Sequence, residues 1–157
     1  MDKSWSIEAE QIRKTYGSGD TAVRALRETS LRIKRGQFTA ILGPSGCGKS
    51  TLLHVLGGID EPDSGRVWVD GREMTALSPK ELREARKSIG MIFQSFNLLM
   101  QRTALENVCF PLELIGTKRP QARKRAQELL ARVGLGDRAG AYPAQLAGGQ
   151  KQPVAIA

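Results

Sequence analysis

The pattern of apolar and polar residues in the first part of the chain predicts an antiparallel sheet. A stretch of mixed polarity, Trp5–Tyr16, ends at a Gly-Ser-Gly-Asp turn. Two shorter stretches follow, residues 21–26 and residues 29–34, and an Arg-Gly pair closes the second. Short strands that follow one another through tight turns favour antiparallel pairing. Residues 66–69 predict a further strand, which ends at an Asp-Gly hairpin signal.

From residue 38 onwards, apolar runs alternate with helical patterns. The runs at residues 38–42 and 89–93 predict strands, and the residues that follow Lys49 predict a helix. Two more helices begin with capping boxes, one at Ser78 and one at Thr103, each with a glutamate three residues later. Strands that alternate with helices are typical of a parallel sheet with helices around it.

The densest positive charge lies on a predicted helix between Pro120 and Gly134. The chain carries 24 basic and 16 acidic residues, a net charge of +8, which is compatible with binding to nucleic acid or to an anionic membrane. In this helix, however, one face is apolar at helical spacing and the basic residues lie mostly on the other, with no aromatic residue among them to stack on bases. The pattern favours a solvated helix face. The apolar face consists of Ala122, Ala126, Leu129, Leu130 and Val133.

A glycine-rich loop between a predicted strand and a predicted helix carries the clearest chemistry. Its sequence, GPSGCGKST, fits the phosphate-loop pattern G-x-x-x-x-G-K-S/T. Glycines let the backbone approach phosphates, whose charge is bound by backbone N–H groups and by the positive end of the helix. The lysine can reach the β- and γ-phosphates, and the next hydroxyl can hold Mg²⁺. The predicted nucleotide-binding residues are Gly43, Pro44, Ser45, Gly46, Cys47, Gly48, Lys49, Ser50 and Thr51.

Composition narrows the class of protein. A chain of 157 residues that is 40% hydrophobic can form a sizeable core. Its apolar runs are too short to span a bilayer, and its N-terminus lacks the apolar core of a signal peptide, so we expect it in the cytoplasm. Cys47 and Cys109 lack metal-ligand spacing, and we expect both to be reduced thiols.

Four motifs in order resemble those of the nucleotide-binding subunits of ABC transporters. They are Tyr16, the GPSGCGKST loop, Gln94 in IGMIFQSFNLL, and LAGGQKQ near the end of the chain. The resemblance implies a P-loop NTPase of the α/β class, with a parallel core sheet, an N-terminal antiparallel β-subdomain and a helical subdomain. It divides the chain into residues 1–88, with the β-subdomain and phosphate loop, and residues 89–157, with the helical subdomain.

The resemblance also implies roles for residues and partners. Tyr16 would stack on the adenine of ATP. Ser50 and Gln94 would both contact Mg²⁺, and Gln94 would also position the attacking water. Gln94 and the helical region would face membrane-spanning transporter subunits at the cytoplasmic face of the membrane. The signature segment would close over ATP bound to a second copy of the subunit in a homodimer. That segment comprises Leu146, Ala147, Gly148, Gly149 and Gln150.

The finer resemblance is divided between two kinds of transporter. The later segments, such as IGMIFQSFNLL and YPAQL, are similar to methionine-importer ATPases, whereas LHVLGGIDEPDSGRVWVDG is similar to lipoprotein-releasing and macrolide-export ATPases. The transported substrate and the direction of transport therefore stay open. Two alternatives also stay open: an ABC-type ATPase that acts on nucleic acid, and a remnant without function.

The chain departs from the family pattern at three places. Ala147 replaces the serine that caps the signature helix, at a cost of ~1 kcal/mol. Pro153 replaces the usual arginine inside that helix, at a cost of ~3 kcal/mol. The family's Walker B aspartate, catalytic glutamate and switch histidine would follow Ala157. We therefore expect a truncated cassette with an open edge on the phosphate-loop strand, which binds nucleotide weakly and hydrolyses essentially none.

Overall fold

An antiparallel sheet of four strands forms the first part of the computed structural model, which describes residues 4–157. Its strands are β1 (Trp5–Tyr16), β2 (Val23–Lys34), β3 (Ser64–Val69) and β4 (Arg72–Glu73), in the order β2-β1-β3-β4. The predicted antiparallel pairing is confirmed. Residues 1–3, which belong to the segment inspected for a signal peptide, lie outside the described residues.

One prediction within this sheet is wrong, because residues 21–26 and 29–34 do not form two strands. Thr21 ends a short 3₁₀ helix, Gly19–Thr21, and Val23–Lys34 is one continuous strand. An irregularity does lie near the predicted break, but it leaves β2 continuous. The pairing with β2 has an extra residue of β1 between Ala9 and Ile12 and an extra residue of β2 between Leu26 and Thr29, and these bulges bend the pair without breaking β2.

The bulge in β1 also explains a glycine in β3. Gln11 adopts a left-handed conformation with φ 50°, and the register of β1 with β3 shifts between Glu10 and Arg13. Gly65 lies opposite, where an added Cβ would stand 2.4 Å from the Glu10 carbonyl oxygen and 2.5 Å from that of Gln11. Only glycine lets β3 approach the bulged strand this closely.

Two helices accompany the sheet. They are α1 (Lys49–Leu56), which confirms the helix predicted after the phosphate loop, and α2 (Pro79–Arg86), which begins with the predicted capping box at Ser78. A short 3₁₀ helix, Met74–Ala76, precedes α2. The core is formed by residues from β1, β2, β3, α1 and the segments around α2, with Ile12 and Val67 fully buried. Complete burial of an aliphatic side chain contributes about 1.5–3 kcal/mol to folding.

The Asp70-Gly71 turn joins β3 to β4 as predicted. Both residues adopt positive φ angles, 50° and 80°, as a two-residue hairpin requires. The Asp70 carboxylate accepts a hydrogen bond from the Ser6 hydroxyl at 3.3 Å and pairs with the Arg35 guanidinium at 2.7 Å. This carboxylate therefore ties the hairpin turn to β1 and to the residue that follows β2.

Two compact units make up the chain. The first ends at Gly90, and the second is Met91–Ala157. The second unit contains α3 (Ala104–Leu114), α4 (Arg119–Arg132) and α5 (Gly148–Ile156), with 3₁₀ turns at Gly136–Arg138 and Pro143–Gln145. The assignment of the units to the predicted subdomains stays a prediction.

Burial in the second unit follows the predicted pattern. Thr103 caps α3 with the predicted capping box. On α4, Ala122, Ala126 and Leu130 are fully buried, and Leu129 and Val133 pack against the same cluster. The basic side chains of α4 are exposed, which confirms the amphipathic pattern. These exposed residues are Arg119, Arg123, Lys124, Arg125 and Arg132.

The two predicted parallel strands are not formed, so both predictions are wrong. Residues 38–42 and 89–93 have irregular backbone, and Phe38 and Leu42 are 96% and 90% exposed. A parallel strand needs a neighbour that exchanges backbone hydrogen bonds with it. Among residues 4–157, the only sheet is the antiparallel one, and neither apolar run pairs with it.

Candidate functional site

The predicted phosphate loop contains two glycines in a backbone conformation that other residues rarely adopt. Gly46 and Gly48 adopt φ angles of 78° and 92°. A Cβ on Gly48 would stand 2.3 Å from the Ala25 carbonyl oxygen of β2, whereas one on Gly46 would meet nothing within 4 Å. Gly48 is therefore required both by its conformation and by its contact with the sheet, and it places the first turn of α1 against β2.

Lys49 crosses the loop from which it emerges. Its Nζ donates hydrogen bonds to the carbonyl oxygens of Gly43 at 2.9 Å and Pro44 at 2.7 Å, and lies 3.6 Å from the Cys47 Sγ. The ammonium group is thus held against the first two residues of the loop. Two of its three donors are taken by carbonyls, while the third faces a thiol, which is a weak acceptor.

The first turn of α1 supplies further donors. The backbone N–H groups of Lys49, Ser50 and Thr51 occupy the positions where a helix has no internal acceptors, and they carry the positive end of the helix dipole. The Ser50 side chain is exposed. Amides, an ammonium group and a hydroxyl around one loop form a site suited to a polyphosphate and its metal.

Tyr16 lies at the end of β1, paired with Val23, and is 40% exposed. Its hydroxyl donates a hydrogen bond to the Asp60 carboxylate and also interacts with the side chain of Thr51. The structure thus brings Tyr16 next to the phosphate loop. The hydrogen bond to Asp60 is the main reason that the pKa of Tyr16 is raised, and the same bond lowers the pKa of Asp60.

A lysine and two carboxylates complete the surroundings of this ring. The Lys14 Nζ lies 5.4 Å from the centroid of the Tyr16 ring, 3.2 Å from Asp60 Oδ1 and 3.7 Å from Asp63 Oδ1. Burial alone would lower the pKa of Lys14, but the hydrogen bond and charge of Asp60 raise it. The sequence reasoning missed all three residues, although Lys14 precedes Tyr16 by two positions and therefore shares its side of a strand.

Gln94 belongs to the second unit. It is exposed and lies in a turn that is closed by a hydrogen bond from the Phe96 amide to the Phe93 carbonyl at 3.0 Å. Phe96 and Asn97 then adopt positive φ angles of 63° and 48°. This segment replaces the strand end at which the sequence placed the glutamine.

The signature segment forms the beginning of α5. Leu146 is buried, while Gly148 and Gly149 are exposed at the first two helical positions. The Gln150 side-chain oxygen accepts a hydrogen bond from the Ala147 amide at 3.0 Å. Half of a capping box is thus present, because alanine lacks the hydroxyl that would supply the other half.

The two cysteines and the remaining surface add few features. Cys47 and Cys109 are both free thiols, as predicted, and burial raises the pKa of Cys109. In the part of the chain that the structure describes, no cluster of three or more His, Cys, Asp or Glu side chains could hold a metal ion. Within residues 4–157, no helix is both long enough and apolar enough to cross a bilayer.

Comparison with known proteins gives close matches to curated sequences. The chain is 52% identical over 151 residues to the methionine import ATP-binding protein MetN of Symbiobacterium thermophilum, covering 96% of this chain and 46% of that protein. It is 53% identical, with the same coverage, to the methionine import ATP-binding protein MetN 3 of Pseudomonas fluorescens. The chain therefore spans about half the length of the curated relatives it matches.

Two solved structures share the fold. One is the ATP-binding cassette MJ0796 in a dimeric, post-hydrolysis state bound to ADP and Pi, with a TM-score of 0.88 and 41% identity. The other is a dimeric structure of MJ0796, a bacterial ABC transporter cassette, with the same TM-score and 42% identity. Each match covers 96% of this chain and 67% of the solved one, and confirms the predicted P-loop NTPase fold class.

The sequence profile described as ABC transporter matches residues 26–157, which include the phosphate loop, Gln94 and the signature segment. The chain therefore belongs to the ABC transporter family.

Proposed function

We propose that this chain is an ATP-binding subunit that powers an ABC transporter. The observation that carries the proposal is the position of Lys49, whose ammonium group is fixed between the Gly43 and Pro44 carbonyls at the head of α1. A loop that combines a lysine ammonium with the amides of a helix N-terminus is suited to a polyphosphate. ATP supplies such a group together with a base.

Each part of the site corresponds to a part of ATP. The loop amides and Lys49 would bind the β- and γ-phosphates. The exposed part of the Tyr16 ring would stack on adenine, since the Thr51 contact places this ring beside the loop.

Magnesium would enter with the nucleotide. Mg²⁺ in phosphate sites is held by one or two protein oxygens together with phosphate oxygens and water. The exposed hydroxyl of Ser50 fits that requirement, and a cluster of carboxylates is not needed. We propose Gln94, an exposed amide of the second unit, as the other ligand. The metal would neutralise phosphate charge at the loop.

The matched relatives support a proposal for the partners. The solved MJ0796 cassettes are dimeric, so we propose a homodimer in which the exposed amides at the start of α5 contact the ATP of the other subunit. The relatives named for methionine import favour a membrane-bound importer of methionine over a role on nucleic acid. The turn around Gln94 and the helices of the second unit would contact its membrane subunits from the cytoplasmic side.

Calorimetric titration of the 157-residue chain with ATP and Mg²⁺ tests the proposal. Wild type is expected to bind, and Lys49→Ala to weaken binding at least tenfold, because a charge-assisted contact to phosphate contributes about 1.5–3 kcal/mol. Lys124→Ala is the matched control, since it removes the same charge from an exposed position on α4. Equal affinities of wild type and Lys49→Ala would refute the assignment.

A further inference from the structure

The Tyr16 ring is held by a network that lies outside the four matched motifs. Asp60 is at its centre. One carboxylate oxygen, Oδ2, accepts the hydrogen bond from the Tyr16 hydroxyl, while Oδ1 accepts from the Glu61 amide at 3.0 Å and lies 3.2 Å from the Lys14 ammonium. Both oxygens of this half-buried carboxylate are therefore engaged.

Asp60 is itself fixed to the helix that starts at the phosphate loop. Its backbone amide donates to the His54 carbonyl at 3.2 Å, and the amide of Ile59 donates to the same oxygen at 2.8 Å. The Lys14 ammonium also donates to the Glu61 carbonyl at 2.6 Å. The segment after α1 is thus tied to the end of β1. Because of these bonds, Asp60 has a fixed position relative to the loop.

These contacts restrict the ring of Tyr16. A tyrosine at the end of a strand, 40% exposed and without a partner for its hydroxyl, would sample several rotamers. The carboxylate fixes the hydroxyl end, because hydrogen bonds to an ionised acceptor are the stronger kind. The Lys14 ammonium, 5.4 Å from the ring centroid, covers one face of the ring. What remains exposed is one oriented aromatic surface.

We propose that Asp60 is a positioning residue for the base of the nucleotide: it holds the Tyr16 ring in the orientation that accepts adenine. The proposal rests on the proposed function, since it concerns how the same site holds ATP. Asp60 would act through Tyr16 and would not touch the phosphates. Its loss should therefore weaken ligands that contain a base and should leave bare polyphosphate unaffected.

Two ligands separate the two parts of the site. ATP engages both the loop and the ring, whereas inorganic tripolyphosphate engages the loop alone. Asp60→Ala is expected to weaken ATP binding roughly two- to tenfold, the cost of ordering a side chain at binding, and to leave the affinity for tripolyphosphate unchanged. Glu84→Ala, which removes a carboxylate from the exposed face of α2, is the matched control and should change neither affinity.

Two further variants exclude a merely structural role. Tyr16→Phe keeps the ring and removes the hydroxyl, so it should weaken ATP binding as Asp60→Ala does, and the double variant should be no weaker than either single one. Asp60→Asn retains an acceptor oxygen but loses the charge, so it should restore part of the ATP affinity. Equal loss of ATP and tripolyphosphate binding, additive effects in the double variant, or no effect of Asp60→Ala would each overturn the proposal. Failure of the proposed function looks different, because wild type would then bind neither ligand.

Discussion

Ala147 has the backbone conformation of a helix-capping residue without the side chain of one. Its φ and ψ angles are −62° and 156°, close to those of the two working caps, Ser78 at −62° and 159° and Thr103 at −65° and 167°. The Gln150 side chain already bonds back to the Ala147 amide. Only the hydroxyl that would accept from the third amide of the helix is missing.

We expect Ala147→Ser to stabilise the second unit by about 1 kcal/mol, because a serine at this position completes the capping box. The measurement is urea unfolding followed by circular dichroism. Ala131→Ser is the control, since Ala131 is exposed inside α4, where serine is a poorer helix former than alanine and should slightly destabilise. A destabilising effect of Ala147→Ser would contradict the capping argument.

At the scale of elements, α5 contains a proline where its hydrogen bonds should be continuous. Pro153 is the sixth residue of the helix Gly148–Ile156, and it lacks the N–H that would reach the Gly149 carbonyl. Pro120 presents the opposite case. It is the second residue of α4, where the N–H of any residue would have no internal acceptor.

Pro153→Ala should therefore raise the free energy of unfolding of the second unit by about 2–3 kcal/mol, the difference between proline and alanine inside a helix. Pro120→Ala should change it by less than about 1 kcal/mol. Hydrogen exchange at the α5 amides measures the local effect. If both substitutions changed stability equally, the helix would tolerate Pro153 by some other adjustment of its backbone.

Local elements could be predicted from the sequence, whereas long-range pairing could not. The capping boxes at Ser78 and Thr103, the helix after the phosphate loop and the Asp-Gly hairpin all depend on residues within a few positions of one another. The apolar runs at 38–42 and 89–93 have strand-like composition, but a strand also requires a neighbouring strand, which a local pattern does not reveal. In the same way, residues 27 and 28 form a bulge within β2 and not a break between strands, because pairing with β1 continues on both sides of them.

The same limit applied to the candidate site: residues close together in the chain could be predicted, and distant ones could not. The motif of the loop specified its glycines and Lys49 directly, because spacing within a loop decides what they contact. Asp60 could not be found in this way, since it lies 44 residues from the Tyr16 whose hydroxyl it binds. Only the packing of the segment after α1 against the end of β1 brings the two side chains together.

At the scale of the whole molecule, charge and exposed apolar surface act against each other. The net charge of +8 makes two copies repel, while Phe38 and Leu42, at 96% and 90% exposure, offer an apolar surface for contact. Salt screens charges over about 10 Å at 0.1 M but does not weaken apolar association. Attraction should therefore prevail as the ionic strength rises.

We expect the average mass of the chain in light scattering to increase with salt, and Phe38→Ser with Leu42→Ser to suppress that increase. The two substitutions should not destabilise the first unit, because the side chains they remove are solvent-exposed. Val23→Ser is the control, an exposed apolar residue at the start of β2. An unchanged salt response in the double variant would exclude this surface as the cause. The fluorescence of Trp5 and Trp68, which both lie in the first unit, measures the stability of that unit in these variants.

The lysine that crosses the phosphate loop also bears on the entropy of binding. A lysine side chain that becomes ordered loses up to about 1.5–2 kcal/mol of rotamer freedom. In this loop the Gly43 and Pro44 carbonyls already hold the Lys49 ammonium, so that loss occurs when the chain folds. A phosphate can take the donor that faces the Cys47 thiol and leave both carbonyl bonds in place. Binding of the phosphate therefore does not have to offset the loss of rotamer entropy of the Lys49 side chain.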